Sequence, residues 1–166
     1  MRMLRGMSEI TELLERFRRG PDLVAVAITG AAGVELDYVP APGKWSIRQI
    51  LCHLADSEIV AADRFRRVIA EENPTIMVFD QEAWAQNLDY SYRKISHALE
   101  MFRRMRGDNY NLLRQIPEAA FNRAGTHSKQ GRVTLLDLLR SCTEHTERHT
   151  AQLEALRQAY RTSKRI

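Results

Sequence analysis

An all-α fold, a four-helix bundle, is what this sequence predicts, on three observations. Apolar residues recur at three- and four-residue steps through four long segments. Two of those segments open on capping sequences, and no alternating strand pattern competes with any of the four. Four amphipathic helices of similar length bury their apolar stripes most simply against one another.

The first segment runs over residues 8–32, with Ile10, Leu13, Leu14 and Phe17 on one face and Leu23, Val24, Ala27 and Ile28 continuing it. Gly20-Pro21 interrupts the pattern, and a kink or break is expected there. The second helix starts at Ser46-Ile47-Arg48-Gln49, which matches a capping box, with Trp45 placed to staple onto Ile50. Its stripe of Ile47, Ile50, Leu51, Leu54, Ala61, Phe65, Val68 and Ile69 carries it to about residue 70, before Asn73-Pro74. A third helix is predicted over 90–116, through Ile95, Ala98, Leu99, Phe102, Met105, Leu112, Leu113 and Ile116, ending before Pro117. The fourth opens at Thr134, with Asp137 three residues on as a weaker capping pair, and runs to about Tyr160. Residues 71–89 are too many for a tight turn and long enough to cross over along a neighbouring helix.

One domain, 1–166, suits this length. A hydrophobic fraction of 44% beside 28% charged residues disfavours both disorder and a membrane class. No stretch approaches the roughly 20 apolar residues of a spanning helix. The N-terminus turns acidic within one helical repeat and does not enter an apolar signal region, so a cytoplasmic address is expected. Two cysteines, Cys52 and Cys142, both inside predicted helices, do not make a disulfide framework. The 25 basic residues are mixed with 21 acidic ones, and without a clustered basic face no nucleic-acid partner is expected.

Chemistry concentrates on the fourth helix, whose inward stripe reads Leu135, Leu138, Leu139, Cys142, His145, Thr146, His149, Leu153 and Leu156. At about 100° per residue, His145 and His149 lie one above the other, the spacing at which two imidazoles reach one ion. His53, on the shoulder of the second stripe, is the best third ligand. The alternative is that each ring hydrogen-bonds to a neighbouring side chain. His97 projects away from its helix's apolar face and is read as exposed, while His127, in a polar loop, is read as a surface residue that could also fold over the site. Cys142 lies about 10.5 Å along the helix from His149, at 1.5 Å per residue, and is read as core, as is Cys52. In His145-Thr-Glu-Arg-His149 the acid is Glu147, turned outward, so the zincin general base is absent. Glu58, Asn109 and Gln152 face the core and are candidates to orient ligands or substrate, with structural hydrogen bonding as the alternative.

The segments PAPGKWSIRQILCHLADSE (40–58), FDQEAWA (79–85) and HTERHTAQL (145–153) resemble the DinB-like (DinB/YfiT) superfamily of metal-dependent enzymes, in its order and at its approximate spacing. The resemblance implies up-down-down-up order, a three-histidine site at His53, His145 and His149, and frequent homodimers. It implies one divalent ion per chain, nickel or zinc first, and imidazole donors also suit manganese or iron. Asp80 and Trp84 fall in the second segment, where Asp80 joins the candidate substrate contacts or else caps a short helix. Members include thiol S-transferases using low-molecular-weight thiols, a thiol-dependent isomerase and hydrolases without assigned substrates. The expectation is therefore a metal-dependent hydrolase or thiol transferase acting on a small molecule, against a non-catalytic metal- or ligand-binding module.

Overall fold

Helix α1 (Glu9–Ala27) opens at Ser8, whose hydroxyl accepts the Thr11 N–H, and runs without interruption through Pro21. The structure, a computed structural model, describes residues 8–165; the basic residues 1–7 lie outside it, and with them part of the reading of a cytoplasmic start. Of the kink or break expected at Gly20-Pro21, the break does not occur. Pro21 has no N–H for the Phe17 carbonyl, and Arg106, from another helix, supplies the missing donor through Nη1 at 2.9 Å. Gly20 makes room for it, since a Cβ there would sit 2.6 Å from that nitrogen. The helix ends at Ala27, short of Ala32.

Helix α2 (Ile47–Ala70) carries the full capping box: the Gln49 N–H donates to Ser46 Oγ and the Ser46 N–H to Gln49 Oε1. Trp45 packs on the apolar cluster that contains Ile50. The crossover then holds strand β1 (Thr75–Ile76) and a short helix α3 (Gln81–Asn87), before α4 (Ile95–Leu113). Helix α4 starts later than the apolar pattern suggests because Tyr90 is buried for a different reason. Its hydroxyl donates to Asp56 at 2.7 Å, and Arg93 Nη1 binds the same carboxylate at 2.8 Å, which pins the end of the crossover to α2. After β2 (Ala124–His127) and β3 (Gly131–Thr134), α5 (Leu135–Ser163) opens on a complete Thr134/Asp137 capping box.

The three strands form a small sheet in the order β1-β2-β3, with β1 parallel to β2 and β2 antiparallel to β3. No strand was expected. Strands of two to four residues are too short to show a period of two, and their pairing joins Thr75 to Thr126 across the whole of α4. Gly125 permits the close approach, because a Cβ there would lie 2.7 Å from the Pro74 carbonyl oxygen.

Cross-helix pairs give the helix directions. Glu9, Arg16 and Ala27 of α1 meet Arg140, Glu147 and Arg157 of α5 in rising order, so these helices are parallel. Asp56, Glu58 and Arg66 meet Arg93, Arg106 and Asp108, which makes α2 and α4 parallel too. The four long helices thus run up-down-down-up, and the long crossover returns the chain beside α2. Along the bundle axis two apolar clusters alternate with polar residues. One cluster contains Phe17, Phe65, Leu113 and Leu139, the other Val24, Leu54, Phe102 and Leu153. Between them α1 contributes Gly20, α2 Glu58, α4 Arg106 and Asn109, and α5 Thr146. No described helix is long and apolar enough to cross a membrane.

Candidate metal centre

The side chains of His53, His145 and His149 meet beside this polar layer. His53 Nε2 lies 2.9 Å from His145 Nε2, and His149 Nε2 lies 3.1 Å from the same atom. One ligand atom of each ring falls within 4.8 Å of the other two, and His53 is buried while the α5 pair is half-buried. Nitrogens bound at about 2.0–2.1 Å to one ion are separated by roughly 3 Å, so the ring spacing suits a shared ion.

Protonation supports the same use. Burial, with help from the neighbouring imidazoles, pushes His53 and His145 down to about 3, and burial lowers His149 as well. The rings are therefore neutral near pH 7 and carry free lone pairs. Gln152 Oε1 sits 2.8 Å from His149 Nδ1 and accepts a hydrogen bond from its N–H, which leaves the Nε2 lone pair toward the cluster. Ser57, one turn beyond His53, approaches that ring at 3.4 Å. The Trp45 indole lies edge-on to His53 with centroids 4.9 Å apart, and Phe79, from the crossover, stacks on it at 6.4 Å. Trp84 in turn packs edge-on against Phe79, so its role here is to support that aromatic wall.

The other candidates divide. Gln152 is in contact with a cluster histidine, as its place one turn beyond His149 suggested. Glu58 and Asn109 are buried but bonded to the polar layer: Glu58 accepts from Arg106 Nε at 3.0 Å, Arg106 Nη2 at 2.7 Å and Asn109 Nδ2 at 2.9 Å. Their neighbours are thus structural. Asp80 accepts the Ala83 N–H and caps α3. Glu147 faces outward to Arg16. His97 is exposed. His127 is neither a surface residue nor a cover for the cluster; it is buried, and its Nδ1 accepts the Lys129 and Gln130 N–H groups of the turn between β2 and β3. Cys142 is part-buried, and burial pushes its thiol up to about 12, so it stays protonated. Cys52 is buried in the core, where its thiol points to the Tyr90 carbonyl.

A cavity of about 110 Å³ opens beside His145, lined in part by Ser57, Glu58, Arg64, Phe79, Arg106 and Cys142. Sequence reasoning missed Arg64 and Phe79. Phe79 reaches the site through the fold of the crossover; Ser57 and Arg64, four and eleven residues after His53 on the same face of α2, could have been found from helical spacing alone.

A helical bundle of up-down-down-up order with three convergent imidazoles is the class that fold and site define. The DinB superfamily model matches residues 16–153, and the chain belongs to that superfamily. It is 30% identical to YfiT of Bacillus subtilis over 123 residues, covering 74% of this chain and 69% of YfiT. A protein of Oceanobacillus iheyensis is 27% identical over 147 residues, covering 89% of this chain and 85% of its own. Both relatives carry the provisional name of metal-dependent hydrolase. The solved structure of YfiT, described as having an unusual four-helix bundle topology, superposes with a TM-score of 0.85 at 25% identity, over 94% of this chain and 90% of that one.

Proposed function

We propose that this chain is a metal-dependent hydrolase of a small molecule, with His53, His145 and His149 holding one divalent ion, nickel or zinc in first place. The observation that carries the reading is the meeting of three neutral imidazole nitrogens at the edge of a cavity, in a group of three ligand side chains among the described residues. Structural zinc sites are closed by four protein ligands, whereas three leave positions open. An ion bound there supplies Lewis-acid polarisation of a substrate oxygen and acidification of water.

The chain's own residues do the rest. Gln152 fixes the His149 tautomer, and Trp45 and Phe79 hold the His53 ring and narrow the approach of solvent. Glu58 has three donors on its carboxylate, and Cys142 remains a thiol. The names of the relatives favour hydrolysis. Transfer to a low-molecular-weight thiol would use the same open positions, and a two-fold homodimer, as the family resemblance implies, is part of the proposal.

The test is metal content and turnover together. Protein purified without chelator is expected to hold up to one divalent ion per chain and to cleave a member of an ester, lactone and amide panel, losing that activity to chelator and regaining it with the ion. Turnover only with a thiol and an electrophile would move the reading to thiol transfer. No metal uptake by folded protein would overturn it, and a monomeric mass by light scattering at micromolar concentration would remove the dimer.

A further inference from the structure

Arg64 on α2 lines the cavity beside His145, and unlike Arg106, which shares that lining and pairs with Glu58, it meets no carboxylate among the described residues. Its Nη2 donates to the Met77 carbonyl at 2.7 Å, which neutralises no charge. Its Nε is buried with no hydrogen-bond partner, the one side-chain nitrogen or oxygen in that state among the described residues. The acids nearby are taken: Asp63 by Arg67, Glu58 by Arg106 and Asn109, Asp137 by Thr134 and Arg140. A buried donor without an acceptor costs stability, and a cation without a counter-charge adds to that cost. The cavity wall therefore carries one guanidinium without a carboxylate partner.

We propose that Arg64 anchors a substrate carboxylate in this cavity, so that the molecule processed at the three-histidine site is a small acid derivative whose free carboxylate sits at Arg64 and whose reacting group faces His145. This rests on the function proposed above. A single free charge suits a monoanion, and a carboxylate oxygen accepts a charge-assisted bond from a guanidinium. Size sets the second limit. At about 110 Å³ the cavity is smaller than the ~150 Å³ pocket that admits benzene, so the part of the substrate inside it is a short chain. Cys142 and Phe79 give that chain an apolar wall, and Ser57 a hydroxyl.

The experiment uses chelator-treated, ¹⁵N-labelled full-length protein near neutral pH, where the imidazoles are neutral and no ion competes for the anion. Acetate and acetamide, matched in size, are titrated while the arginine Nε–H resonances are followed, with Arg64 assigned by its loss in Arg64→Lys. Acetate is expected to shift the Arg64 resonance and to bind about tenfold more tightly than acetamide. In Arg64→Gln the preference should vanish while the variant still takes up metal like the parent. Equal binding of acetate and acetamide by the unaltered protein, which needs no variant to fold, overturns the proposal, as does a preference that survives Arg64→Gln. Metal titration of the same samples separates the two readings: a parent that binds no ion but keeps the acetate preference loses the hydrolase reading and retains the anchor.

Discussion

Two groups of buried polar side chains lie side by side in this bundle, and they are built on opposite terms. In the layer of Glu58, Arg106, Asn109 and Thr146, acceptors and donors find protein partners: Arg106 binds both Glu58 oxygens, Thr146 Oγ1 and the Phe17 carbonyl, and Asn109 fills Glu58 further. Among His53, His145 and His149 the nitrogens face one another, with too few protons to satisfy them. The first group completes the fold. The second leaves lone pairs for something that the chain does not itself supply.

The contrast can be broken most severely at Arg106. Arg106→Met should leave the Glu58 carboxylate and the Phe17 carbonyl buried without their cation, and lose about 3–5 kcal/mol of stability by urea unfolding. Replacing Glu58 by Gln in the same chain should return part of that loss; no return would mean that the pair is not a closed unit.

The histidines should behave in the opposite way. His53→Ala and His149→Ala are expected to cut metal affinity by similar factors, each larger than the 10–100-fold typical of losing an outer-shell partner, with circular dichroism showing that the helices persist. His97→Ala should titrate like the parent. If His53→Ala bound the ion like the parent in calorimetry, the third ligand would be wrongly assigned.

Acid sharpens the comparison further. His53 and His145 resist protonation in the fold down to about 3, against 6.5 for a free imidazole, so the unfolded chain takes up protons first as the pH falls. In metal-free protein their contribution is present above about pH 6.5 and is lost on the way down toward 3, on the order of 1 kcal/mol per pH unit for each ring. Urea midpoints that stay level between about pH 7 and pH 5 would contradict this. The smallest effect belongs to Gln152→Ala, which frees the His149 tautomer and should weaken metal binding by about tenfold with little change in stability.

What the sequence revealed was what local spacing encodes. The two capping boxes are three-residue patterns, and the His145/His149 pair follows from one helical turn, so both were readable in order along the chain. His53 was legible because a third imidazole on another core helix completes such a pair. The sheet, the anchoring of Tyr90 on Asp56 and the arrival of Phe79 beside His53 depend on how the crossover closes, over separations that no periodicity records. Glu58 was correctly placed in the core, but its partner Arg106 was hidden inside a helix rich in ordinary surface arginines.

Pro21 has a consequence for alignment as well as for continuity. A smooth helix can slide along its neighbour by one turn and find similar apolar contacts again, since its backbone offers no landmarks. The proline removes one rung of the ladder, and the bared Phe17 oxygen becomes such a landmark, met by a guanidinium that only Gly20 lets close enough. Slippage of α1 against α4 by a turn of about 5.4 Å would strand both groups in the dry interior. A residue known for interrupting helices thus serves here as an index mark, setting the height of α1 and, through the parallel ion pairs to α5, the height at which His145 and His149 stand opposite His53.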